Sequence, residues 1–365
     1  MGEGSRTVGL VRIEEASKAG PRILLPVIAQ PGNGARESAH NRWPNPYNDG
    51  VEMKLQLYVP DGRYAPWIEG FAEVLPEAQC VTWEESQGQR VDYAVVWRPP
   101  LEMLRGRTDL KAVFNLGAGV DGILRLRDND PEALPAGVPI VRLDDAGMAA
   151  QMSEYVTAAV LRYFRKLDAY DAQETAGTWK FLKPHRRADF TIGVMGIGTL
   201  GSHIARTLAG FGFPVRGWSR SAKTVEGVQP FHGADGQVAF LDGLKVLVNV
   251  LPLTPDTEDI IDTGLLYKLA KGAYVINVAR GQHLVEADLL AAVQDGQIAG
   301  ATLDVFRTEP LPADHPYWQE PRITITPHIS ALTLREDSIA QIAGKIRLLA
   351  EGKPIAGVVD LQRGY

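Results

Sequence analysis

One glycine-rich turn constrains the fold of this chain more than any other feature. Gly196-Ile197-Gly198-Thr199-Leu200-Gly201 directly follows the apolar run Thr191–Met195 and opens a segment with helical spacing, Leu200–Phe211. In a strand–turn–helix unit, the first glycine makes a tight turn, the second lets a pyrophosphate approach the backbone, and the third permits close helix packing. The helix start also offers free N–H groups and a partial positive charge. The sequence therefore predicts a dinucleotide site, with Gly196, Gly198, Thr199, Leu200 and Gly201 as cofactor contacts.

Strand-like and helical segments alternate on both sides of this turn. Strands are predicted before it at Leu55–Val59, Tyr93–Trp97 and Ala112–Leu116. From the turn onwards six strands are predicted, at Thr191–Met195, Val215–Trp218, Val246–Leu251, Ala273–Val278, Ala301–Phe306 and Ile323–Thr326. Helical patterns cover Asp256–Ala270 and Glu286–Asp295. Alternation of this kind is typical of parallel β-α-β units, so we predict an α/β fold with two doubly wound, Rossmann-like parallel sheets.

Chain length and two further helices predict the domain organisation. A chain of 365 residues suits two domains. An amphipathic helix is predicted from Gln151 to Leu167, and a last helix, Arg335–Ala350, comes too late to belong to the second sheet. We therefore expect a substrate domain of residues 53–150 and 330–365, with a nucleotide-binding domain of residues 151–329 inserted. Residues 1–52, rich in Gly, Pro and Asn, are expected to form a loosely ordered extension, with an oligomerisation arm as the alternative.

Composition excludes several classes of protein. The formal charge of -6, from 38 basic and 44 acidic residues, argues against a nucleic-acid or anionic-membrane surface. A single cysteine, Cys80, allows no internal disulfide and no cysteine-based metal site. No apolar run approaches the ~18 residues of a membrane span, and the first 18 residues do not read as a signal peptide. We expect a cytoplasmic protein without a metal.

The segment after the second strand of the nucleotide domain indicates which dinucleotide binds. Sites for NAD place an acidic residue about 20 positions after the glycine turn, on the ribose 2′-hydroxyl. Here the strand ends in Ser219-Arg220-Ser221-Ala222-Lys223, without an acid. Ser219, Arg220 and Lys223 suit a 2′-phosphate, which favours NADP(H) over NAD(H); solvated loop charges are the alternative. Further cofactor contacts are expected at Leu251, Pro252 and Val278.

Three polar residues follow the last three strands of the same sheet. Arg280, Asp304 and His328 each stand at or near a strand end, and carboxyl ends of neighbouring parallel strands meet at one sheet edge. His328 can donate a proton near neutral pH, and Glu309 is placed to reach it and favour the imidazolium. Arg280 suits a substrate carboxylate and carbonyl, and Asp304 could accept a hydrogen bond from a nicotinamide amide. His328 is singled out among seven histidines because it alone ends a predicted strand.

The first sheet is expected to supply the opposite wall of the site. The strand Ala112–Leu116 runs into Gly117-Ala118-Gly119, whose backbone N–H groups are expected to form an anion nest for a substrate carboxylate. Trp97 ends another strand and is expected either to restrict the pocket to small acids or to belong to the core. The reaction that this set predicts is hydride transfer between a nicotinamide dinucleotide and a small 2-oxo or 2-hydroxy acid.

Motifs along most of the chain add a resemblance. From about Met53 to Tyr365 the chain resembles the D-isomer-specific 2-hydroxyacid dehydrogenases, and most closely the glyoxylate/hydroxypyruvate reductase A group. The matching motifs are Val95-Val96-Trp97-Arg98-Pro99-Pro100, Leu116-Gly117-Ala118-Gly119-Val120-Asp121, Gly147-Met148, Gln151-Met152, Asp189-Phe190-Thr191-Ile192-Gly193, Gly217-Trp218-Ser219-Arg220, Asn277-Val278-Ala279-Arg280-Gly281 and Arg363-Gly364-Tyr365. Arg98 departs from that group's histidine, and Tyr155 fits the group but not the wider family.

The resemblance implies NADPH-dependent reduction of glyoxylate to glycolate and of hydroxypyruvate to D-glycerate. It also implies that Arg280 binds the substrate, that His328 donates the proton with Glu309 as its partner, and that the protein is a homodimer. Two alternatives stay open at this stage: a dehydrogenase for a larger 2-oxo acid, and a dinucleotide-sensing corepressor. The presence of Arg280, Glu309 and His328 together disfavours the corepressor.

Overall fold

A computed structural model describes residues 53–365, apart from the side chains of residues 128 and 129. The expectations for residues 1–52 lie outside the described residues. The described chain contains two parallel sheets with helices between their strands. No helix in this range is long and apolar enough to cross a membrane.

The first sheet has five strands, ordered β2-β1-β3-β4-β5. They are β1 (Met53–Tyr58), β2 (Ala78–Thr82), β3 (Tyr93–Val96), β4 (Ala112–Asn115) and β5 (Ile140–Val141). The helices in this part of the chain are α1 (Ala65–Val74), α2 (Leu101–Leu104), α3 (Asp121–Leu124) and α4 (Leu126–Asn129). The sequence predicted β1, β3 and β4 but missed β2 and β5, which form the two edges.

Two consecutive helices, α5 (Met148–Phe164) and α6 (Leu167–Thr175), follow the first sheet. Helix α5 starts three residues before the predicted Gln151, and Lys166, in a left-handed conformation, separates it from α6. Its buried stripe includes Met152, Val156 and Val160, as the spacing predicted. This stripe packs against the core of the second sheet.

The second sheet has seven strands, ordered β12-β11-β10-β9-β6-β7-β8. They are β6 (Ile192–Met195), β7 (Val215–Ser219), β8 (Val228–His232), β9 (Val246–Asn249), β10 (Ala273–Asn277), β11 (Ile298–Leu303) and β12 (Ile323–Ile325). The helices in this part of the chain are α7 (Thr199–Gly210), α8 (Gly233–Leu241), α9 (Thr263–Leu266) and α10 (Glu286–Gln294), with short 3-10 helices at Arg187–Asp189, Gly281–His283 and Pro316–Gln319; α11 (Arg335–Ala350) follows the last strand.

Several predictions for the second sheet need correction. The count of six strands was wrong because the edge strand β8 was missed, and β11 starts at Ile298 rather than Ala301. The helix predicted over residues 256–270 is reduced to the single turn α9. The argument that His328 alone ends a strand was also wrong, because His232 is the last residue of β8.

The predicted fold class is confirmed, since both sheets are parallel and doubly wound. Strands β6, β9 and β10 are buried at every residue, as expected for a sheet covered on both faces. Helix α11 packs Ile339, Ile342 and Ile346 into the core that contains β1. This packing supports the proposed return of the chain to the first domain after the inserted one.

Candidate active site

A large cleft lies at the carboxyl ends of strands from both sheets. Its volume is about 970 Å³, and its lining comes from the loops after β3 and β4 on one side and after β6, β7, β9, β10 and β12 on the other. Carboxyl ends of parallel strands are where open α/β sheets bind ligands. The cleft contains nearly all the site residues predicted from the sequence.

The glycine turn has the geometry that a pyrophosphate requires. Gly196 has a φ of 107°, and a Cβ there would lie 2.7 Å from the carbonyl oxygen of Val250. A Cβ on Gly201 would collide with the carbonyl oxygen of Gly196, so the third glycine permits the helix to pack closely. Around Gly198, by contrast, nothing lies within 4 Å of a Cβ position. The backbone is therefore open to a ligand at the second glycine, at the start of the 12-residue helix α7.

The residues expected at a 2′-phosphate lie at one end of the cleft. Ser219, Arg220 and Lys223 all line it, and Ser219 Oγ donates to the carbonyl oxygen of Ser221 at 2.8 Å. The Arg220 guanidinium lies 5.2 Å from the ring centroid of Tyr365 and donates to its hydroxyl. Three donors in a segment without an acid, residues 219–223, suit a dianionic phosphate. The other expected cofactor contacts, Thr199, Leu200, Leu251, Pro252 and Val278, line the same cleft.

Arg280 is held rigidly against the first sheet's glycine turn. Its Nε donates to Asp121 Oδ1 at 2.9 Å, and its Nη1 donates to the carbonyl oxygen of Ala279 at 2.7 Å. A Cβ on Gly119 would collide with Nη2, so that nitrogen lies directly over the glycine. Nη2 has no acceptor within the described part of the chain. Arg280 therefore presents one charged donor to the cleft while the rest of the guanidinium is fixed.

His328 and Glu309 form the expected pair. His328 Nδ1 lies 2.9 Å from Glu309 Oε2, and because an ionised carboxylate only accepts, Nδ1 carries the proton and Nε2 is left for a ligand. Burial raises the pKa of Glu309, but hydrogen bonds from His328 and from the Phe306 N–H outweigh it, so the pKa lies below its ordinary value. The positive charge of Arg280 also acts to lower that pKa.

The structure gives Asp304 a different place from the one expected. Asp304 is fully buried and does not line the cleft, so the expectation that it faces a nicotinamide amide needs correction. Its Oδ1 accepts from Thr326 Oγ1 at 2.5 Å and from the Ile329 N–H at 2.8 Å, and its Oδ2 accepts from the Ser330 N–H at 2.7 Å. The carboxylate therefore anchors both sides of the loop that carries His328, whose φ of 55° is in the left-handed region.

The glycine segment of the first sheet faces Arg280 across the cleft. The side-chain amide of Asn115 donates to the carbonyl oxygens of Gly117 and Gly119, at 3.1 and 3.0 Å. The N–H groups of Gly117, Ala118 and Gly119 have no acceptor among residues 53–365. Trp97 packs its ring on Gly117, where a Cβ would lie 2.6 Å from Cζ3. Trp97 and this glycine segment line the cleft, as expected for a pocket that takes a small anion.

Sequence reasoning missed three residues that complete the site. Asp121 binds Arg280 from 159 positions away. His283 is fully buried beside Arg280, with Nδ1 3.1 Å from the Arg280 carbonyl oxygen, and burial lowers its pKa to about 4. Tyr365 contacts Arg220. A partly buried arginine such as Arg280 needs an acidic partner, so the sequence could have indicated that one exists. It does not indicate that the partner is Asp121.

No group of three or more His, Cys, Asp or Glu side chains that could hold a metal ion occurs in the described part of the chain. Between the two sheets, the polar groups that line the cleft include the Arg280 guanidinium, the His328 imidazole and the backbone N–H groups of the Gly117–Gly119 segment. This arrangement suits charge binding and proton transfer at a carbonyl. The fold and the cleft are those of a dinucleotide-dependent dehydrogenase.

Comparisons with known proteins identify the family. Residues 157–330 match the family model described as D-isomer specific 2-hydroxyacid dehydrogenase, NAD binding domain. The glyoxylate/hydroxypyruvate reductase A of Serratia proteamaculans is 52% identical over 313 residues, covering 86% of this chain and all of the relative. That of Yersinia enterocolitica is 49% identical over the same coverage. The chain therefore belongs to the D-isomer-specific 2-hydroxyacid dehydrogenases and, within them, to the family of glyoxylate/hydroxypyruvate reductase A.

Solved structures agree with this assignment. A D-isomer specific 2-hydroxyacid dehydrogenase from Xanthobacter autotrophicus Py2, in complex with NADPH and MES, matches with a TM-score of 0.80 and 37% identity, covering 86% of this chain and all of the other. An NADPH-dependent glyoxylate/hydroxypyruvate reductase from Sinorhizobium meliloti, in complex with NADP and sulfate, matches with a TM-score of 0.77 and 35% identity over the same coverage.

Proposed function

We propose that this enzyme reduces glyoxylate and hydroxypyruvate, or closely similar small 2-oxo acids, with NADPH as reductant. One observation carries the proposal: Arg280 and the His328–Glu309 pair line the same cleft as the glycine turn at residues 196–201. The relatives named glyoxylate/hydroxypyruvate reductase A support the substrate class.

NADP(H) is the proposed cofactor because the residues present fit its phosphates. Gly198 leaves the turn open for the pyrophosphate, and Ser219, Arg220 and Lys223 offer three donors for a 2′-phosphate, with no acid between residues 219 and 223. Similar structures from Xanthobacter and Sinorhizobium contain NADPH or NADP. When bound, the dinucleotide supplies the hydride for the substrate's C2.

The protein's own groups hold the substrate and deliver the proton. The N–H groups of Gly117–Gly119 and Arg280 Nη2 bind the carboxylate and polarise the carbonyl, because all of them lack acceptors within the described residues. His328 Nε2 gives its proton to the carbonyl oxygen, and Glu309 fixes the ring and stabilises its charged form. Trp97 packs on Gly117 and lines the cleft beside this segment.

Steady-state kinetics with glyoxylate or hydroxypyruvate, each with NADPH or NADH, test this proposal. We expect turnover of both acids and a higher kcat/KM with NADPH than with NADH. An inert enzyme with both acids beside rapid turnover of a bulky 2-oxo acid such as phenylpyruvate would overturn the substrate assignment. Equal kcat/KM for the two dinucleotides would overturn the cofactor assignment.

We also propose a homodimer formed through the inserted domain. The segment between α6 and β6 carries Trp179 and Phe181, both highly exposed in the isolated chain. Exposed aromatic side chains two positions apart in the chain are typical of a protein interface. Light scattering coupled to size exclusion is expected to give a dimer for the wild type and a monomer for a Trp179→Ser, Phe181→Ser double variant. A monomeric wild type would refute the proposal.

A further inference from the structure

A second compartment adjoins the main cleft at the catalytic residues. It has a volume of about 380 Å³ and shares Trp97, Arg98, Gly119, Asp121, Arg280, Glu309 and His328 with the main cleft. Beyond these residues its lining includes Arg125, Gln282 and Arg307. A substrate carbonyl held at Arg280 and His328 therefore borders both the dinucleotide cleft and this compartment.

The compartment is more basic than acidic. Its lining contains four arginines, Arg98, Arg125, Arg280 and Arg307, against the carboxylates of Asp121 and Glu309. Most of the positive charges have acidic partners: Arg280 binds Asp121 at 2.9 Å, Arg125 lies 3.8 Å from the same carboxylate, and Arg307 pairs with Asp259. The remaining cation is Arg98.

Arg98 has no carboxylate partner among the described residues. Its guanidinium lies 5.6 Å from the ring centroid of Trp97. Arg98 is the second residue after β3, and its backbone φ is 48°. Stacking on an aromatic ring orients a planar cation while leaving its N–H edge free. Because Trp97 packs on Gly117 of the carboxylate-binding segment, Arg98 is held at the rim shared by the two compartments.

A positioned cation that lacks a partner and lines a polar compartment is suited to an anionic group of the substrate. Resting on the proposed function above, we propose that the enzyme also reduces 2-oxo acids with a second anionic group, a carboxylate or phosphate, one or two atoms beyond C2. The first carboxylate binds at Gly117–Gly119 and Arg280, and the second enters the adjoining compartment at Arg98. Arg125 adds positive charge at the same side.

The reaction is the same balanced reduction as for the small acids. The bound dinucleotide would supply the hydride for C2 and be left as NADP⁺, His328 transfers its proton to the carbonyl oxygen, and the product is a 2-hydroxy acid that keeps both anionic groups. His328 then recovers a proton from solvent. No bond to the second anionic group forms or breaks, so that group affects only binding and orientation.

Pairs of substrates with the same chain length and different charge isolate this effect. Oxaloacetate is compared with 2-oxobutyrate for the carboxylate arm, and phosphohydroxypyruvate with hydroxypyruvate for the phosphate arm. We expect at least one charged member to exceed its partner in kcat/KM, and we expect the ratio to fall as ionic strength rises from about 0.02 to about 0.3 M, since exposed charges are screened. Which arm shows the preference identifies the group.

Variants at Arg98 assign the preference to that residue. Arg98→Gln should lower the charged-to-uncharged ratio about fivefold or more while leaving glyoxylate turnover nearly unchanged, and Arg98→Lys should retain part of the preference. Arg105→Gln is the matched control, because Arg105 is an exposed arginine paired with Asp130 and lines neither compartment. Its ratio should equal that of the wild type.

The possible failures are distinguishable. Absence of turnover with glyoxylate and hydroxypyruvate would refute the proposed function itself. Normal turnover of these acids without preference for either charged substrate would refute only the second anion site. A preference that survives Arg98→Gln would also refute it, because the recognition would then lie elsewhere.

Discussion

Replacing Asp304 with asparagine tests whether this buried carboxylate holds the proposed proton donor in place. Its two oxygens accept from Thr326 Oγ1, the Ile329 N–H and the Ser330 N–H, at 2.5, 2.8 and 2.7 Å. Asparagine has the same shape but only one acceptor oxygen. Its NH₂ group must therefore face at least one of these donors, whichever way the amide is turned.

The cost follows from the number and kind of bonds. A buried N–H left without an acceptor costs about 1–3 kcal/mol, and the two remaining bonds each lose roughly 1 kcal/mol when the acceptor loses its charge. If the loop keeps its conformation, the free energy of unfolding should fall by about 4 kcal/mol. If the loop instead rearranges, His328 leaves its left-handed conformation, and kcat falls because the proton donor is displaced.

Urea unfolding, kcat with glyoxylate and NADPH binding by fluorescence separate these two outcomes. Thr326→Val is the matched control, since it removes one donor to Asp304 together with that hydroxyl's hydrogen bond to Tyr155, and should cost about 2 kcal/mol. NADPH binding should survive in both variants because Asp304 does not line the cleft. The reasoning is refuted if Asp304→Asn changes the unfolding free energy by less than about 1 kcal/mol and leaves kcat unchanged.

Two further predictions concern the cleft, and a third concerns the buried His283 beside Arg280. His328→Ala should lower kcat about 10²- to 10⁴-fold while NADPH binding stays intact; a lost dinucleotide affinity with normal residual turnover would contradict the assigned role. Arg220→Ala should raise KM for NADPH about tenfold or more with little change for NADH, and Tyr365→Phe should act in the same direction more weakly; equal effects on both dinucleotides would exclude a 2′-phosphate contact. Because burial lowers the pKa of His283 to about 4, the unfolded chain binds a proton that the folded chain excludes, so stability should fall as the pH drops from about 6.5 towards 4, by about 3 kcal/mol at most. Urea unfolding across this range should show a flatter profile for His283→Gln, and an unchanged profile would contradict the assignment.

The strands missed by sequence reasoning share a physical cause. β2, β5 and β8 are all edge strands. β2 has no buried residue, and most of β8, which contains Pro230, is exposed. None of these three carries the continuous apolar run of strand length that marks β6, β9 and β10. β5 is buried but only two residues long, so it offers no pattern either.

The helix predicted over residues 256–270 failed for a different reason. Its apolar residues have helical spacing, but Ile261 forms a bridge to Leu284, and helix is confined to Thr263–Leu266. An apolar residue buried by a strand-like contact looks the same in sequence as one buried by a helix face. Only the packing partner, 23 residues further along the chain, distinguishes the two.

The sequence by itself determined the features that are local or repeated along the chain. The glycine turn at residues 196–201, the alternation of buried strands with helices, and the polar residues at strand ends all predicted a dinucleotide enzyme, because turn sterics and burial act over a few neighbouring residues. Parallel order then brought Arg280 and His328 to one sheet edge. This much required no knowledge of distant contacts.

Only the tertiary structure decided which polar groups face the cleft and which support it. Asp304 and His328 both follow strands of the same sheet, yet the first is buried beneath the loop that the second exposes. The Arg280–Asp121 and Arg220–Tyr365 contacts join residues 159 and 145 positions apart. The direction of a side chain and its long-range partner depend on packing between the two sheets, and no local pattern of residues encodes that packing.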